Sequence, residues 1–301
     1  MATSRSIRIA TRASALAVWQ AEHVAGLLRA VTPGLGVELV TMSTEGDRRT
    51  DVPLSTIGGK GVFAKEVQAA VLDGRADMAV HSAKDLPALT PEGLTIGAVP
   101  ERGDARDALV GRRLVDLPAN AVVATGSARR RVQLARLRPD LRFAELRGNM
   151  ATRLDKATGF DAIVVAAVAL DRLGMADRIA ERLDPALFVP QVGQGALAVE
   201  CRAGDDAVGG LLGGVDHAPS RRVVTCERAF LVELGGDCSL PAGAHATEAV
   251  DGGLHVRGIL GGVDGPAGSV APLARGELRG GDAATLGREL ARELWNRVQP
   301  G

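Results

Sequence analysis

Short apolar runs alternate with segments of helical periodicity over the first two thirds of the chain. Such alternation is typical of α/β folds, in which helices connect parallel strands. The helix predicted over 15–31 carries Trp19 and His23 on one face. Leu16 and Leu27 lie on or near the same face. In this first part the pattern predicts strands over 7–10, 37–42 and 77–81 and helices over 15–31 and 63–72.

A second unit of the same kind follows the charged stretch at 101–106. Its strand-to-helix turn at 124–128 resembles the turn at 10–15, and this weak repeat predicts two similar lobes with a cleft between them. Pro139 ends the helix predicted over 128–137, because proline lacks the N–H that a helix interior needs. The pattern further predicts strands over 121–125, 143–146 and 161–166, and a helix after Asn149.

The last third of the chain has a different pattern and predicts a separate α+β domain. Ser220 is a suitable N-cap for a helix that runs to Leu234, where two glycines end it. Glycine-rich alternation over 242–278 predicts a small antiparallel sheet. Asp282 is the predicted N-cap of a last helix. One stripe of that helix carries Leu286, Leu290, Leu294 and Val298.

Composition narrows the classes of function. The net charge is zero, which argues against a general binder of nucleic acid or membrane surfaces. Tyrosine is absent and aromatic residues make up 2%, so base stacking is not the expected mode of recognition. The chain shows neither a membrane-length apolar run nor a signal-peptide segment, and three widely spaced cysteines form no disulfide framework or metal motif. We therefore expect a cytoplasmic, reduced protein without a metal.

Arginines recur where the predicted strands end and the next helices begin. Ligands of parallel α/β sheets lie beyond the carboxyl ends of the strands, and helix N-termini there offer N–H donors to anions. The planar guanidinium group adds two parallel hydrogen bonds to a carboxylate. The alternative is that these are solvated side chains, since the four lysines (Lys60, Lys65, Lys84 and Lys156) show that this chain strongly prefers arginine. The residues concerned are Arg12 with Ser14, Arg129, Arg130, Arg147, Arg153 and Arg172, and as a set they predict a ligand with many negative groups.

The segment from His81 to Asp85 places a charged pair directly after an apolar strand. Asp85 could stabilise a cationic intermediate and move protons, while Lys84 could bind an anion. The alternative is a salt-bridged strand end, and His81 is expected to be a packed core histidine. Charges in such a position are costly unless they are paired or used.

Cys238 is the best candidate nucleophile of the three cysteines. It lies in a glycine-rich segment beyond a helix end, whereas Cys201 and Cys226 fall in apolar or helical stretches and are expected to be buried. The helix C-terminus and Asp237 both disfavour a thiolate at Cys238. We therefore expect this thiol to react once, or with help from the arginine cleft, rather than as a nucleophile in every turnover.

An ordered series of motifs runs through nearly the whole chain and resembles the porphobilinogen deaminase (hydroxymethylbilane synthase) family. Each motif alone is modest evidence, but their order is specific. The motifs are RASALA at 12–17, GGKGVFAKE at 58–66, HSAKDLP at 81–87, RR at 129–130 followed by QL at 133–134, RGNMATR at 147–153, VGQGAL at 192–197, ERAFL at 227–231 and the Cys238 segment.

The resemblance implies a transferase that joins four porphobilinogen molecules head to tail into hydroxymethylbilane, with loss of ammonia. It implies a dipyrromethane cofactor bound by a thioether to Cys238, Asp85 as the catalytic aspartate, and a mobile cover over 47–60. Cofactor-binding positions would be Ser14, Lys84, Thr125, Ser127, Arg129, Arg130 and Arg153. Substrate-binding positions would be Arg12, Arg147, Arg172 and Phe63. Two positions depart from the family pattern, since Gly126 replaces a serine and Asp237 replaces a glycine.

The resemblance also implies the architecture, which is three α/β domains. Two lobes similar to periplasmic binding proteins would form a cleft, the first over 1–99 with 196–213 and the second over 100–195. A small α+β domain over 214–301 would carry the cofactor. The expected protein is a monomer that acts on a small molecule. The rival hypothesis is a two-lobed protein that binds a polycarboxylate without catalysis.

Overall fold

The computed structural model describes residues 6–44, 61, 63–235, 240–262 and 273–298. It divides into two compact units, which are Met1–Gly103 with Gly195–Arg222 and Asp104–Gln194 with Val223–Gly301. The predicted cover at 47–60 and the pair Asp237 and Cys238 lie outside the described residues. Within the described ranges, no helix is both long enough and apolar enough to cross a membrane.

The first unit is built on a five-stranded mixed sheet with the order β2-β1-β3-β10-β4. Strand β1 pairs in parallel with β2 and β3, and β10 is antiparallel to both β3 and β4. The late strand β10 thus completes a sheet whose other strands come from the start of the chain. The elements are β1 (Ser6–Arg12), α1 (Ala15–Val31), β2 (Gly36–Met42), α2 (Lys65–Leu72), β3 (Met78–Ser82), β4 (Leu94–Ala98), β10 (Leu197–Arg202) and α6 (Asp206–Gly213).

Helix α1 has the predicted bounds but buries a different face from the one that carries its aromatic residues. Ser14 caps it by accepting a hydrogen bond from the Ala17 N–H. Trp19 and His23 stack on each other on the exposed side, with ring centroids 5.1 Å apart. Small alanines allow the opposite face to lie closer to the sheet. That buried face consists of Ala17, Gln20, Ala21, Val24, Ala25 and Leu28.

The second unit contains another five-stranded mixed sheet, with the order β7-β6-β8-β5-β9. Strand β6 pairs in parallel with β7 and β8, whereas β5 is antiparallel to β8 and β9. The predicted helix over 128–137 is found with those bounds. The elements are β5 (Asp107–Val110), β6 (Val122–Ala124), α3 (Ala128–Leu137), β7 (Arg142–Ala144), α4 (Met150–Lys156), β8 (Ala162–Ala166), α5 (Ala167–Arg172) and β9 (Ile179–Arg182).

The last part of the chain forms the predicted small antiparallel sheet, with the order β11-β12-β13. Asp282 caps its final helix by accepting a hydrogen bond from the Thr285 N–H. The apolar stripe of that helix is buried up to Leu294, whereas Val298 is partly exposed. The elements are α7 (Ala218–Glu233), β11 (Ala242–Glu248), β12 (Leu254–Gly261), β13 (Leu273–Gly280) and α8 (Ala283–Val298).

The predicted start of helix α7 was wrong by three residues. His217 rather than Ser220 is the N-cap, because its carbonyl oxygen accepts from the Arg221 N–H and its Nδ1 from the Ser220 N–H. Ser220 lies inside the helix and accepts a hydrogen bond from the Arg102 N–H. The hydroxyl therefore stabilises the backbone at Arg102 instead of the helix end. The residue type alone could not distinguish these two roles.

The expected α/β class is confirmed, since the chain forms two sheet-and-helix lobes and a small C-terminal domain. The residue boundaries of the three domains and the cleft between the lobes remain predictions.

Helices α7 and α8 approach each other closely at Gly287, which yields a stability prediction. A Cβ at this position would overlap the carbonyl oxygen of Cys226, which is backbone and cannot move aside alone. We expect Gly287→Ala to lower the free energy of unfolding by about 3 kcal/mol, as overpacked cores do. Equilibrium urea unfolding measures this loss.

Gly209 in helix α6 is the matched control, because a Cβ there meets no atom within 4 Å. Gly209→Ala should stabilise the protein by up to about 1 kcal/mol, since alanine is the better helix former. Equal behaviour of the two variants would contradict the close approach of α7 and α8.

Candidate functional site

Four of the predicted site residues lie at one edge of the first sheet, the edge formed by the C-terminal ends of the parallel strands β1 and β3. Arg12 is the last residue of β1, and Ser14 caps the helix that follows. Lys84 and Asp85 form a 3-10 turn directly after β3. Because β1 and β3 run in parallel, their carboxyl ends share this edge of the sheet. The sequence prediction of a common site for these four residues is consistent with this placement.

Phe63 also lies at this edge, next to Arg12. The guanidinium carbon of Arg12 is 4.3 Å from the centroid of the Phe63 ring, which is within the range of a cation–π interaction. The ring restricts the orientation of the guanidinium group. The face of the Phe63 ring thus stabilises the positive charge of Arg12.

Ser82 ties the Lys84–Asp85 turn to helix α1. Its hydroxyl exchanges hydrogen bonds with the side chain of Gln20, with Nε2 donating at 2.9 Å and Oε1 accepting at 3.2 Å. Gln20 is not among the residues predicted from the sequence. A buried amide on an otherwise small, apolar helix face was the signal that could have identified it.

A buried polar cluster lies beneath the same turn. Glu200 on β10 is fully buried and accepts two hydrogen bonds from Gln68 Nε2, at 2.9 and 3.2 Å. His81 Nε2 lies 3.0 Å from Glu200 Oε2. His81 is therefore part of the core, and its partner Glu200 is a residue that the sequence analysis missed.

The second sheet presents a similar carboxyl edge. Thr125 follows β6, and its hydroxyl accepts a hydrogen bond from the Ser127 N–H at 3.2 Å. Ser127 caps helix α3 by accepting from the Arg130 N–H. A Cβ at Gly126 would lie 3.0 Å from the Leu146 carbonyl oxygen. This tight approach gives a physical reason for glycine at the position where the family pattern has serine.

Three further arginines follow the neighbouring strands of this sheet. Arg147 comes after β7, and Arg153 in helix α4 donates from Nε to the Gly148 carbonyl oxygen. Arg172 ends helix α5 after β8. Burial lowers the pKa of Arg172 to about 10, while Asp171 acts in the opposite direction. A cation that is kept largely from water favours an anionic partner.

Arg129 and Arg130 have a protein partner that the sequence analysis did not identify. Both side chains are buried and contact the carboxylate of Asp107, which is itself fully buried. Burial alone would raise the pKa of Asp107, but the two arginines offset it and hold the pKa below its ordinary value. The signal in the sequence was a single aspartate at the start of a strand, which is too common a feature to be informative.

The two cysteines in the described part of the chain are poor nucleophiles. Cys226 is buried, and burial with the charge of Glu227 raises its pKa to about 12. Burial also raises the pKa of Cys201. Cys238 lies outside the described residues. Among the described residues, no group of three or more His, Cys, Asp or Glu side chains could hold a metal.

The fold and these side chains define an α/β protein with cationic and N–H donors at the carboxyl edges of two sheets. Residues 7–209 match the porphobilinogen deaminase dipyromethane cofactor binding domain, and residues 222–296 match the porphobilinogen deaminase C-terminal domain. The chain therefore belongs to the porphobilinogen deaminase family, which acts in tetrapyrrole synthesis. It carries the domain that binds the dipyrromethane cofactor.

Several solved structures resemble the chain distantly. YhfZ from Shigella flexneri is 18% identical, with 77% of this chain and 98% of that chain covered and a TM-score of 0.38. The periplasmic aliphatic sulphonate binding protein SsuA from Escherichia coli is 15% identical, with 77% and 71% covered and a TM-score of 0.38. The BenM effector binding domain with benzoate is 14% identical, with 71% and 91% covered and a TM-score of 0.42. No functional conclusion follows from likenesses this weak.

The donor set of the structure fits a dipyrromethane, which bears several carboxylates. Helices α1 and α3 each point an N-terminus to a carboxyl edge, and serine caps both of them. N–H groups at such ends and adjacent arginines are suitable partners for carboxylates. Arg12 and Ser14 in the first unit, and Ser127 in the second, lie next to such helix ends.

The buried cluster of Glu200 yields a prediction about the support of the Lys84–Asp85 turn. In Glu200→Gln, the new amide nitrogen faces Gln68 Nε2 whichever oxygen position it takes, so one of the two buried contacts from Gln68 becomes a contact between two donors. We expect a loss of about 2 kcal/mol in the free energy of unfolding. Thermal or urea unfolding measures it.

Glu277 provides the control, since its carboxylate also lies 3.0 Å from a histidine, His255, but is exposed. Glu277→Gln should cost much less, because water replaces the lost contacts. A similar loss of unfolding free energy in both variants would show that burial of the Glu200 cluster does not contribute to stability.

Proposed function

We propose that this protein condenses four porphobilinogen molecules head to tail into hydroxymethylbilane on a dipyrromethane primer attached through a thioether to Cys238. Four additions and one final hydrolysis consume one water and release four molecules of ammonia. The observation that carries the proposal is the placement of Arg12, Ser14, Lys84 and Asp85 at one sheet edge, within the cofactor binding domain of this family.

Asp85 is the proposed catalytic residue. It is partly buried in the 3-10 turn after β3, where the cluster of His81 and Glu200 and the bond from Ser82 to Gln20 hold the backbone. Its carboxylate would accept hydrogen bonds from pyrrole N–H groups and stabilise the positive charge of a substrate that is losing ammonia. It would then take up the proton that the coupled pyrrole releases.

The remaining residues would hold carboxylates. Each porphobilinogen carries an acetate and a propionate, so negative charge accumulates as the chain grows. When bound, the dipyrromethane supplies the free pyrrole carbon to which the first substrate is joined. We assign cofactor carboxylates to Ser14, Lys84, Thr125, Ser127, Arg129, Arg130 and Arg153, and substrate carboxylates to Arg12, Arg147 and Arg172, with Phe63 beside the pyrroles.

Cys238 is proposed as the attachment point because its competitors are unsuitable. Cys201 and Cys226 are buried and their pKa values are raised, so neither thiol forms a thiolate readily near neutral pH. The proposal further includes a cytoplasmic monomer that acts on a small molecule without nucleic acid or a membrane. The zero net charge supports the last two points.

The cofactor is tested by the intact mass of the denatured protein, followed by peptide mapping. We expect additional mass equal to two porphobilinogen units minus two ammonias, located on Cys238. Alkylation of the native protein near pH 7.5 should modify neither Cys226, whose pKa is about 12, nor Cys201. A Cys238 thiol that stays bare after incubation with porphobilinogen would instead favour a binding protein without catalysis.

The role of Asp85 is tested with Asp85→Ala. We expect kcat to fall at least about 100-fold, because proton transfer and stabilisation of the cation are both lost. Pyrroles should still bind, since the carboxylate partners remain. Rapid-quench mass spectrometry of the enzyme–substrate complexes measures each addition.

Asp116→Ala is the matched control, because Asp116 also ends a 3-10 turn but is exposed. This variant should keep full turnover. Near-normal elongation by Asp85→Ala would exclude the proposed role of Asp85.

A further inference from the structure

One buried cluster of the second unit has an unequal charge balance. It consists of Asp107 on β5 and of Arg129 and Arg130 in the first turn of α3, and we call it the Asp107 cluster. Two guanidinium cations face a single carboxylate, and all three side chains are buried. The cluster therefore carries one positive charge in excess.

The single carboxylate is shared between the two arginines. Arg130 donates from Nε to Asp107 Oδ1 at 2.8 Å, and its Nη1 donates to the Val164 carbonyl oxygen. Arg129 Nη2 lies 2.8 Å from Asp107 Oδ2, without the alignment of a hydrogen bond. Gln194 completes the arrangement by donating from Nε2 to Asp107 Oδ1. Each guanidinium group thus contacts the Asp107 carboxylate and donates to one backbone carbonyl oxygen, that of Val189 for Arg129 and that of Val164 for Arg130.

Arg129 retains unused capacity to bind an anion. Its Nε is buried and has no hydrogen-bond partner within the described part of the chain. The ion pairs of the described residues include no second carboxylate on Arg129 or Arg130. An excess buried charge and an unsatisfied buried donor are both costly unless a ligand compensates them. One bound carboxylate would compensate the excess charge and accept a hydrogen bond from Arg129 Nε.

The surroundings of Arg129 place the cluster near the C-terminal sheet. A Cβ at Gly243 on β11 would lie 2.9 Å from Arg129 Cδ and 2.6 Å from the Pro190 carbonyl oxygen, so this strand passes directly over the arginine stem. Gly243 follows Cys238 by five residues, which corresponds to at most about 17 Å of extended chain. The sequence therefore limits Cys238 to within that distance of the strand that covers Arg129.

We infer that Asp107 is a positioning residue, which holds Arg129 and Arg130 in place and cancels one of their two charges, so that the pair accepts a single carboxylate of the pyrrole chain. This inference rests on the proposed function, because the carboxylate comes from the cofactor or from the growing product. Without Asp107, two like charges would repel each other at short range and neither guanidinium group would keep its orientation.

The test compares Asp107→Asn with Asp140→Asn. The asparagine keeps the shape of Asp107 but turns N–H donors toward the arginines. Asp140 is the matched control, because it forms an ion pair with Arg138, which likewise donates to backbone carbonyl oxygens. The readouts are the fraction of chains that carry the cofactor mass, the KM and kcat for porphobilinogen, and the thermal midpoint.

For Asp107→Asn we expect cofactor loading to fall severalfold and the KM of the loaded fraction to rise about tenfold, with a smaller change in kcat. Asp140→Asn should match the wild type in loading and KM. A folded Asp107→Asn protein with the loading and KM of Asp140→Asn overturns the inference. If the wild type itself neither carries the cofactor nor consumes porphobilinogen, the proposed function fails instead.

Asp107→Glu decides the question if Asp107→Asn does not fold. It keeps the charge but moves the carboxylate by one methylene, so a positioning role requires a raised KM in a protein that still loads the cofactor. A merely structural role predicts a lower thermal midpoint with an unchanged KM. That second outcome contradicts the inference.

Discussion

Parallel pairing of the central strands is the constraint on which the rest of the site depends. In the first sheet it brings the ends of β1 and β3 to one edge, and in the second it does the same for β6, β7 and β8. Residues far apart in sequence, such as Arg12 and Asp85, thereby become neighbours along an edge. The helices that follow the strands direct their N–H groups to the same edges.

Buried carboxylates fix the segments around these edges. Glu200 binds Gln68 and faces His81 beneath the Lys84–Asp85 turn. Glu227 is also fully buried and accepts hydrogen bonds from the backbone N–H groups of Gly193 and Ala246. A buried carboxylate is tolerated only when several hydrogen-bond donors surround it. Glu200 and Glu227 therefore each require particular donor groups at particular positions. These two carboxylates hold together segments of the chain that are distant in sequence.

The cationic residues fall into two groups once their partners are known. Arg182 binds Asp104 and Asp171, and Arg202 binds Asp205, so the charges of these two arginines are used within the protein. Arg129 and Arg130 share a single carboxylate and keep an excess charge. The abundance of arginine in the composition therefore does not indicate a ligand by itself. The balance of charge in a buried cluster is more informative, because water cannot screen it.

The sequence by itself determined the features that depend on neighbouring residues. Periodicity placed α1 and α3 with their observed bounds, turn and capping residues marked the strand ends, and the motif around Asp85 predicted a candidate site directly after β3. These properties are local, since a helix or a turn is specified by residues a few positions apart.

Only the tertiary structure decided which distant groups share a buried space. It inserted β10 between β3 and β4, placed Glu200 on Gln68 across 132 positions of sequence, and gave Arg130 its partner Asp107. It also decided that α1 buries its alanine face while Trp19 remains exposed. The physical reason is that such contacts arise from chain crossings and close packing, and the local pattern of apolar and polar residues does not specify either of them.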